Sequence, residues 1–359
     1  MQCSILIRGK KTKFLGENPN ETFLPPVCPL ARPQPGRLRP CSRRGPRGAC
    51  RGRGSCPAAE EVVVEDAPAA EEAPAEEAPE VEPIVLKDGL DRTITLEGPA
   101  QAIISMAPSN TELLYGVGAG DQVIAREDFS NYPEAVLELP SIGNTQEQNF
   151  EMIVSLEPDL VLAADINAPE QIAAIEELGI TVFKISNPTD LDGLYENMRI
   201  VAELTGHEEE TAAWIEAAKE RVAAVEETVA QAETTPTVFY ELDATDPTSP
   251  WTSGSGTFID TLITMAGGEN IAGGMDTPWA QLSQEELIIQ DPEIILLGDA
   301  MWGVTPEMVA ERPGWEDISA VVNGQVLPFN DDLVSRPGPR LIDGLEALAE
   351  AIHPELFAE

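Results

Sequence analysis

Aromatic side chains that can stack on a ligand recur between the expected strands and helices. Trp251, Trp279 and Trp302 each fall in a predicted loop next to a strand, although only 5% of the residues are aromatic. Phe129 and Tyr132 lie in a loop passage rich in proline and asparagine. Such rings bury large apolar areas and stack on flat ligands, although each taken alone could simply pack within its loop. Together they predict a small-molecule binding site.

Residues for acid–base, nucleophilic or metal chemistry lack a working pattern. The two histidines, His207 and His353, belong to no triad and to no set of metal ligands. The glycines around Ser255 do not have the spacing of a hydrolase nucleophile elbow. Acids are so numerous that no pair stands out as general acid and base. We therefore expect a protein that is not an enzyme, with no catalytic residue, no metal site and no cofactor.

Charge divides the chain into two parts. Residues 1–56 hold 12 Lys and Arg against 2 acids, whereas residues 57–359 hold 10 against 61. The acidic part argues against nucleic acid as a partner and against direct adsorption to anionic lipid. Residues 1–56 contain no apolar run of signal-peptide length, so we interpret them as an atypical basic segment. We hypothesise that this segment is a misread or frameshifted version of the signal peptide.

The segment that follows has the composition of a tether. Residues 57–83 are an acidic Ala/Pro/Glu tract, which self-repulsion extends. Cys56 directly precedes this tract, in the position of the lipid-bearing cysteine of a bacterial lipoprotein. We therefore predict a lipid anchor at Cys56, which would be the chain's contact with the membrane, and a periplasmic or cell-surface location. A disordered basic tail on a soluble protein is the alternative.

The elements that must position the aromatic residues are α/β elements in two copies. FEMIVSLEPDLVLAAD (150–165) and QEELIIQDPEIILLGD (284–299) share an acid, a proline seven residues later and a buried strand. Between the copies, the three-to-four-residue spacing of Ala212, Ile215, Ala218, Val222, Val225 and Val229 predicts one long helix over 208–233. We expect an N-terminal lobe (84–190), connecting helices (191–235) and a C-terminal lobe (236–359).

Ligands of α/β folds bind at the carboxyl ends of the strands. The loop Pro108–Asn110 follows a buried strand, and there Ser109 or Asn110 can cap a helix and face the cleft.

Taken together, the chain from about Val85 to Phe357 resembles the class III substrate-binding proteins of ABC transporters. The resemblance rests on APSNTELLYGVGAGDQV, PSIGNTQEQNFEMIVSLEPDLVL, AGGENIAGG, AVVNGQVLPF and RPGPRLIDGLEALAEAIHPE. The family carries ferric siderophores, haem and vitamin B12. It implies two Rossmann-like lobes joined by one rigid helix, a ligand in the cleft, and a permease dimer with its ATPase as partner. We expect a monomer.

Within the family, FSNYPEA, PSIGN and PWAQLSQEEL are most similar to the cobalamin binders. That similarity adds Asn144 and Gln146 to the expected ligand-binding residues. It also implies that Glu151 and Glu285 dock on arginines of the permease, one from each lobe. The cobalamin binders place further aromatics near positions that here read Gln146 and Asp165–Ile166.

Cations narrow the choice of ligand. A ferric catecholate siderophore is strongly anionic and requires several Arg or Lys in the cleft. The plausible cations are few: Arg126, Lys184, Arg312, Arg336 and Arg340. Arg336 could line the cleft or brace the last helix. We expect a corrinoid such as cobalamin, with ferric siderophores or haem second and an enzyme or chelatase on the same scaffold as the rival class.

Overall fold

The computed structural model describes residues 82–358, which form two α/β lobes and two connecting helices. The first lobe is built from β1 (Ile84–Lys87), β2 (Thr93–Leu96), β3 (Ile103–Ser105), α1 (Pro108–Gly116), β4 (Val123–Arg126), α2 (Phe150–Ser155), β5 (Leu160–Ala163), α3 (Pro169–Glu176) and β6 (Val182–Lys184). The connecting helices are α4 (Leu191–Thr205) and α5 (Glu208–Val229).

The second lobe repeats this alternation of strands and helices. It contains β7 (Thr237–Glu241), β8 (Trp251–Ser253), α6 (Phe258–Met265), β9 (Glu269–Asn270), β10 (Trp279–Gln281), α7 (Gln284–Gln290), β11 (Ile294–Leu297), α8 (Pro306–Ala310), α9 (Ser319–Val322), β12 (Val326–Pro328), α10 (Leu341–Ile352) and α11 (Pro354–Phe357).

Each lobe has a parallel sheet of the same topology. The strand order is β4-β3-β5-β6 in the first lobe and β9-β7-β11-β12 in the second. Numbered within its own lobe, each sheet reads 2-1-3-4. The central strands β5 and β11 are buried at every position, because helices cover both faces of a parallel sheet. The predicted pair of Rossmann-like lobes is confirmed.

The acid that follows the shared proline of the sequence repeat makes the same hydrogen bond in both lobes. After the shared proline, the carboxylate of Asp159 accepts the N–H of Ala102 at 3.0 Å, and that of Glu293 accepts the N–H of Thr237 at 3.0 Å. Both N–H groups lie at the start of the neighbouring central strand. The residue before the proline has a positive φ in both copies, 47° and 46°. The internal duplication therefore extends to individual hydrogen bonds.

Helix α5 connects the base of one lobe to the base of the other. Its first turn follows His207, which lies against Gly118 of the first lobe, and its last residue, Val229, lies against Gly267 of the second. With 22 residues it is about 33 Å long. Arg221 in its middle binds Asp343 of α10 at 2.6 Å. The helix is therefore anchored at both ends and along its length.

Two details of α5 differ from the expectation. The helix ends at Val229 instead of Glu233, since none of residues 230–233 has a buried side chain that would pack on a lobe. Ala212 is exposed, whereas Thr211 is buried and takes its place on the apolar stripe.

The local structure around three expected site residues also differs. Trp251 and Trp279 do not lie in loops but open the antiparallel strands β8 and β10. Trp302 closes a 3-10 helix, Gly298–Trp302. Neither Ser109 nor Asn110 is the N-cap of α1, because the extended residue before the proline at the first helical position is Ala107.

The core of the second lobe includes a fully buried tryptophan. Trp315 packs edge-on against Phe239, with 6.5 Å between ring centroids, and the guanidinium of Arg312 lies 4.5 Å from its ring. Within residues 82–358, none of the helices has the length and apolar character that a membrane span requires.

We expect Trp315→Ala to lower the free energy of unfolding by about 3–5 kcal/mol, because it removes a large buried ring and leaves a cavity. Trp302→Ala is the matched control: that ring is 75% exposed, so its loss should change stability by about 0.5 kcal/mol or less. Urea unfolding followed by circular dichroism measures both. Equal effects of the two substitutions would contradict this account of the core.

Candidate ligand-binding site

A cavity of about 560 Å³ lies where the two lobes face each other. The first lobe contributes Ser109, Asp128, Phe129, Asn131, Thr145, Ile166 and Asn187 among its lining residues. The second contributes Met301, Trp302, Asp331, Asp332, Ser335 and Arg336. These residues follow the carboxyl ends of strands in both sheets, where ligands of parallel α/β folds bind.

The first lobe presents a helix start and a rigid loop. Ala107 and Ser109 line the cavity at the start of α1, where no side chain caps the first turn. After β4, the loop carrying Phe129 is held by Glu127, a buried carboxylate that accepts the N–H of Phe129 at 2.7 Å. Arg126 closes the loop by donating to the carbonyl of Val136 at 2.9 Å. These bonds hold the backbone of the loop at Phe129, while the residue stays 53% exposed.

The second lobe presents apolar side chains on a short turn. Met301 and Trp302 end the 3-10 helix that follows β11, and Trp302 is one of the most exposed large apolar residues among those described, at 75%. Phe129 and Ile166, the latter 62% exposed, are on the facing lobe. Exposed apolar side chains gathered around one cavity mark a binding site.

The charges that line the cavity are mainly negative. Asp128, Asp331 and Asp332 carry carboxylates there, and the one lining cation in the described chain is Arg336. Arg336 already donates to Asn131 Oδ1 at 2.6 Å and lies 2.7 Å from a carboxylate oxygen of Asp332. Its charge is therefore matched by the protein.

The other expected cations also bind protein acceptors. Arg312 binds Glu241 through both guanidinium ends, Lys184 pairs with Asp165, and Arg340 binds Glu112. Arg126 donates to loop carbonyls. None of these four lines the cavity. The cleft thus offers little uncompensated positive charge.

Burial raises the pKa of several carboxyl groups near the cleft. The pKa of Asp331 is raised by burial, although Ser335 and Tyr240 donate to its carboxylate. Burial and the neighbouring Glu241 raise the pKa of Asp299 to about 6. One oxygen of Asp299 accepts the N–H of Ala244 at 3.2 Å, and the other is buried without a protein partner.

Four of the expected ligand-binding residues line the cavity: Ser109, Phe129, Trp302 and Arg336. Two others lie close by but point elsewhere. Asn110 is buried within α1, and Tyr132 lines a second cavity of about 260 Å³, where the guanidinium of Arg340 covers its ring at 4.2 Å.

The remaining expected residues are outside the lining. Asn144 accepts the backbone N–H of Gln146 at 2.8 Å in a turn, and it is Thr145 between them that reaches the cavity. Trp251 and Trp279 are half-exposed on the β8–β10 pair, where Trp279 packs edge-on against Phe258. Cys56 lies outside the described residues.

Sequence reasoning missed Asp128, Asn131, Ile166, Asn187, Met301, Asp331, Asp332 and Ser335. Most of them come within a few residues of the end of β4, β5, β6, β11 or β12. The rule that ligands bind at the carboxyl ends of strands predicts Ser109 after β3. The same rule, extended to the other parallel strands, predicts the residues that follow them.

The expected docking acids occupy equivalent positions. Glu151 and Glu285 are exposed second residues of α2 and α7. The preceding Asn149 and Ser283 cap the two helices by accepting an N–H at 3.0 Å and 3.2 Å. The two carboxylates are thus presented in the same way by the two lobes.

Asp299 generates a testable pH dependence. Its folded pKa of about 6 lies above the ordinary value of 3.8, so the folded state keeps a proton that the unfolded state has released. Stability from this group is therefore complete below about pH 4 and is lost as the pH rises through 6. We expect Asp299→Asn to raise the thermal midpoint above pH 6 and to have little effect near pH 4, as measured by differential scanning calorimetry.

Asp246→Asn is the control for this experiment. Asp246 is exposed, and Asn at this position can still accept the hydrogen bonds from Thr248, so its replacement should not raise the thermal midpoint above pH 6. A midpoint difference between Asp299→Asn and wild type that does not depend on pH would contradict the assignment.

Comparison with known proteins agrees with this geometry. A family model described as "Periplasmic binding protein" matches residues 103–333. The chain is 32% identical over 286 residues to the ABC transporter substrate-binding lipoprotein YvrC of Bacillus subtilis, an alignment that covers 78% of this chain and 88% of that protein. It is 29% identical to a cobalamin-binding protein of Halobacterium salinarum, with 76% and 74% of the two chains covered.

A solved structure shares the fold. The periplasmic heme-binding protein RhuT from Roseiflexus sp. RS-1 superposes with a TM-score of 0.65 at 26% identity, covering 72% of this chain and 99% of that one. The matched residues include both sheets and the helix between them, so the chain belongs to the periplasmic binding protein family, in its class III architecture.

Proposed function

We propose that this protein is the extracytoplasmic solute-binding component of an ABC importer and that it carries a corrinoid such as cobalamin in the interlobe cavity. The observation that supports this most is the cavity itself, which has exposed apolar side chains from both lobes and one cation that is already paired. The names of YvrC and of the Halobacterium salinarum relative agree with a carrier and with this cargo.

The apolar residues suit a broad and flat ligand. Phe129 and Ile166 on one lobe and Met301 and Trp302 on the other can contact opposite faces of a macrocycle. Rings that are held by a rigid backbone contribute binding energy without losing much conformational freedom when the ligand arrives. The polar groups of Ser109, Asn131 and their neighbours can bind amide substituents on the edge of such a ring.

The charge of the cavity favours a neutral or weakly cationic ligand. A ferric catecholate would bring several negative charges next to Asp128, Asp331 and Asp332. Each unpaired charge that loses water in a cleft is costly unless an opposite charge meets it. A corrinoid carries amide side chains and little net charge, so it avoids this cost.

Haem is the second candidate, and the similarity to RhuT supports it. Haem iron in proteins takes an axial ligand from His, Cys, Met or Tyr. Of these, Met301 alone lines the cavity within the described chain, because Tyr132 faces the second cavity. The two haem propionates would also meet the three aspartates. These features favour the corrinoid.

An enzyme or chelatase on the same scaffold has less support. YvrC and the Halobacterium salinarum relative are named as binding proteins and not as enzymes. Such an enzyme would consume its ligand, whereas a carrier releases it unchanged.

The partner we infer is a two-fold symmetric permease dimer with its ATPase. Glu151 and Glu285 are exposed on equivalent helices of two lobes with the same topology. Two carboxylates related in this way suit two identical basic sites on a symmetric partner. A single copy of this chain would present both of them, so a monomer suffices.

We further infer that Cys56 carries a lipid and that residues 57–83 act as the tether. The naming of YvrC as a lipoprotein supports this reading. A chain anchored in this way would collect its ligand outside the cytoplasm and stay close to the permease.

The cargo is tested by titrating the full chain with cyanocobalamin and following tryptophan fluorescence. We expect saturable quenching and, for Trp302→Ala, an affinity at least about tenfold lower, because a stacking surface in the cavity is lost. Trp279→Ala removes an indole outside the cavity and should change the affinity by less than about twofold.

The other outcomes of this titration separate the candidates. Binding of haem or a ferric hydroxamate with no response to cyanocobalamin would keep the carrier and overturn the corrinoid. Conversion of the ligand on incubation, seen as a changed absorption spectrum after the protein is removed, would favour the enzyme.

Docking is tested by reversing charge on both lobes. We expect Glu151→Arg with Glu285→Arg to reduce uptake of labelled cyanocobalamin through the cognate permease at least about tenfold, because the carboxylates would be replaced by repelling charges. Ligand affinity in solution should stay as in wild type.

Glu220→Arg with Glu227→Arg makes the same change of net charge on the exposed face of α5 and should leave uptake intact. Normal uptake by the doubly reversed variant would contradict the docking assignment.

A further inference from the structure

A buried carboxylate joins the two lobes behind the cavity. Glu112 lies in α1 of the first lobe, and its side chain is 1% exposed. Arg340, at the start of α10 in the second lobe, donates from Nε to Oε2 at 2.9 Å and from Nη2 to Oε1 at 2.5 Å. Arg336 donates from Nη1 to the same Oε1 at 3.4 Å. We name Glu112, Arg336 and Arg340 the interlobe ion-pair cluster.

The same arginines hold the loop that carries the aromatic residues. Arg336 donates to the side chain of Asn131 at 2.6 Å and to the carbonyl of Phe129 at 3.4 Å. The guanidinium of Arg340 stacks on Tyr132. The cluster therefore connects α1, this loop and the segment before α10.

The backbone around the cluster is tightly packed. A Cβ on Gly338 would lie 3.2 Å from the Cβ of Glu112, and a Cβ on Gly116 would lie 2.5 Å from Pro339. The segment before α10 thus approaches α1 so closely that even a methyl group would force one of them to shift. This contact, together with the ion pairs, leaves little freedom for the lobes to move apart locally.

The cluster also separates two cavities. Arg336 lines the interlobe cavity, and Glu112 and Arg340 line the smaller cavity behind it. Of the three side chains, Arg336 alone lines the binding cavity, and Glu112 binds it from the side of the second cavity. Through Arg336, the cluster is connected to the backbone of Phe129, which also lines the binding cavity.

We propose that Glu112 is a positioning residue of the binding site: its carboxylate holds Arg336 and Arg340 of the opposite lobe and so sets the width of the cleft. This inference rests on the proposed function, since it concerns the same cavity. Glu112 contacts no ligand itself and acts through the two arginines.

An ion pair fixes the distance between the lobes better than an apolar contact would. Apolar residues could give comparable stability, but a bidentate arginine–carboxylate pair has a defined distance and orientation. Breaking it by removing one partner leaves buried charge unpaired, which opposes opening. Across the same boundary, Thr261 donates to the carbonyl of Thr189 at 2.9 Å, a neutral bond that is weaker.

Hydrogen exchange of the full chain without ligand tests the proposal. We expect Glu112→Gln to raise exchange rates at least about tenfold in residues 127–133 and 337–340, while β5 and β11 keep their wild-type protection. Arg340→Gln should have the same effect, which provides a second variant if the first folds poorly. Arg340→Lys keeps the charge without the bidentate geometry and should be intermediate.

Arg92→Gln is the matched control. It removes an arginine that binds two carboxylates, Asp88 and Glu176, within the first lobe and lines neither cavity, so exchange in residues 127–133 and 337–340 should stay as in wild type. Wild-type protection of residues 127–133 in Glu112→Gln would overturn the proposal.

Titration of the same variants with cyanocobalamin separates this inference from the proposed function. If wild type binds and Glu112→Gln binds at least about tenfold more weakly with a faster dissociation rate, the positioning role is supported. Unchanged affinity despite faster exchange would overturn it. If wild type does not bind cyanocobalamin, the proposed cargo fails, and the exchange data still decide whether Glu112 fixes the cleft.

Discussion

The separation of the two lobes is the constraint on which the binding site depends. Neither lobe alone lines the interlobe cavity, since each contributes one wall. Helix α5 connects the bases of the lobes over about 33 Å and is anchored at both ends. Beside the cavity, the ion pairs of Glu112 with Arg336 and Arg340 connect the two lobes. The width of the site therefore depends on two connections, one at the base of the lobes and one next to the cavity.

The positive side chains near the cleft are paired with carboxylates of the protein. The chain carries a net charge of −41, yet its few cations near the cleft bind buried or half-buried carboxylates instead of facing solvent. Arginine suits this role because its planar fork meets a carboxylate with two hydrogen bonds. The consequence is a cavity whose remaining charges are acidic. The carboxylates of Asp128, Asp331 and Asp332 would repel an anionic ligand in this cavity.

Duplication accounts for much of the symmetry of the molecule. The two sheets share one strand order, the acids Asp159 and Glu293 bind equivalent backbone groups, and Glu151 and Glu285 begin equivalent helices. The lobes differ in their insertions. The β8–β10 pair with its two tryptophans belongs to the second lobe and lies outside the cavity lining, whereas the long loop with Phe129 belongs to the first lobe and lines the cavity. The repeated parts support the fold, and segments that follow the strands form the site.

Local sequence patterns determined the helices and strands of this protein. Apolar periodicity predicted α5, and repeated spacing predicted two lobes of one kind, because both signals arise from which face of a short segment is buried. Other local signals predicted three residues of the cavity: Ser109 follows a buried strand, and Phe129 and Trp302 are aromatic residues in segments between the elements. They could not reveal that Tyr132 turns away beneath Arg340 or that Trp251 and Trp279 open strands, since these depend on partners far along the chain.

Only the tertiary structure decided how the lobes meet. Glu112 and Arg340 are 228 positions apart, and nothing in the periodicity of either helix indicates that they form one buried ion pair. The same holds for Arg336, for which lining the cleft and bracing the last helix are alternatives in the sequence: in the fold it lines the cavity, and it pairs with Glu112 of α1 and not with the last helix. Pairing of distant charges is a property of the packed chain, because burial and distance set its strength and neither exists before the lobes assemble.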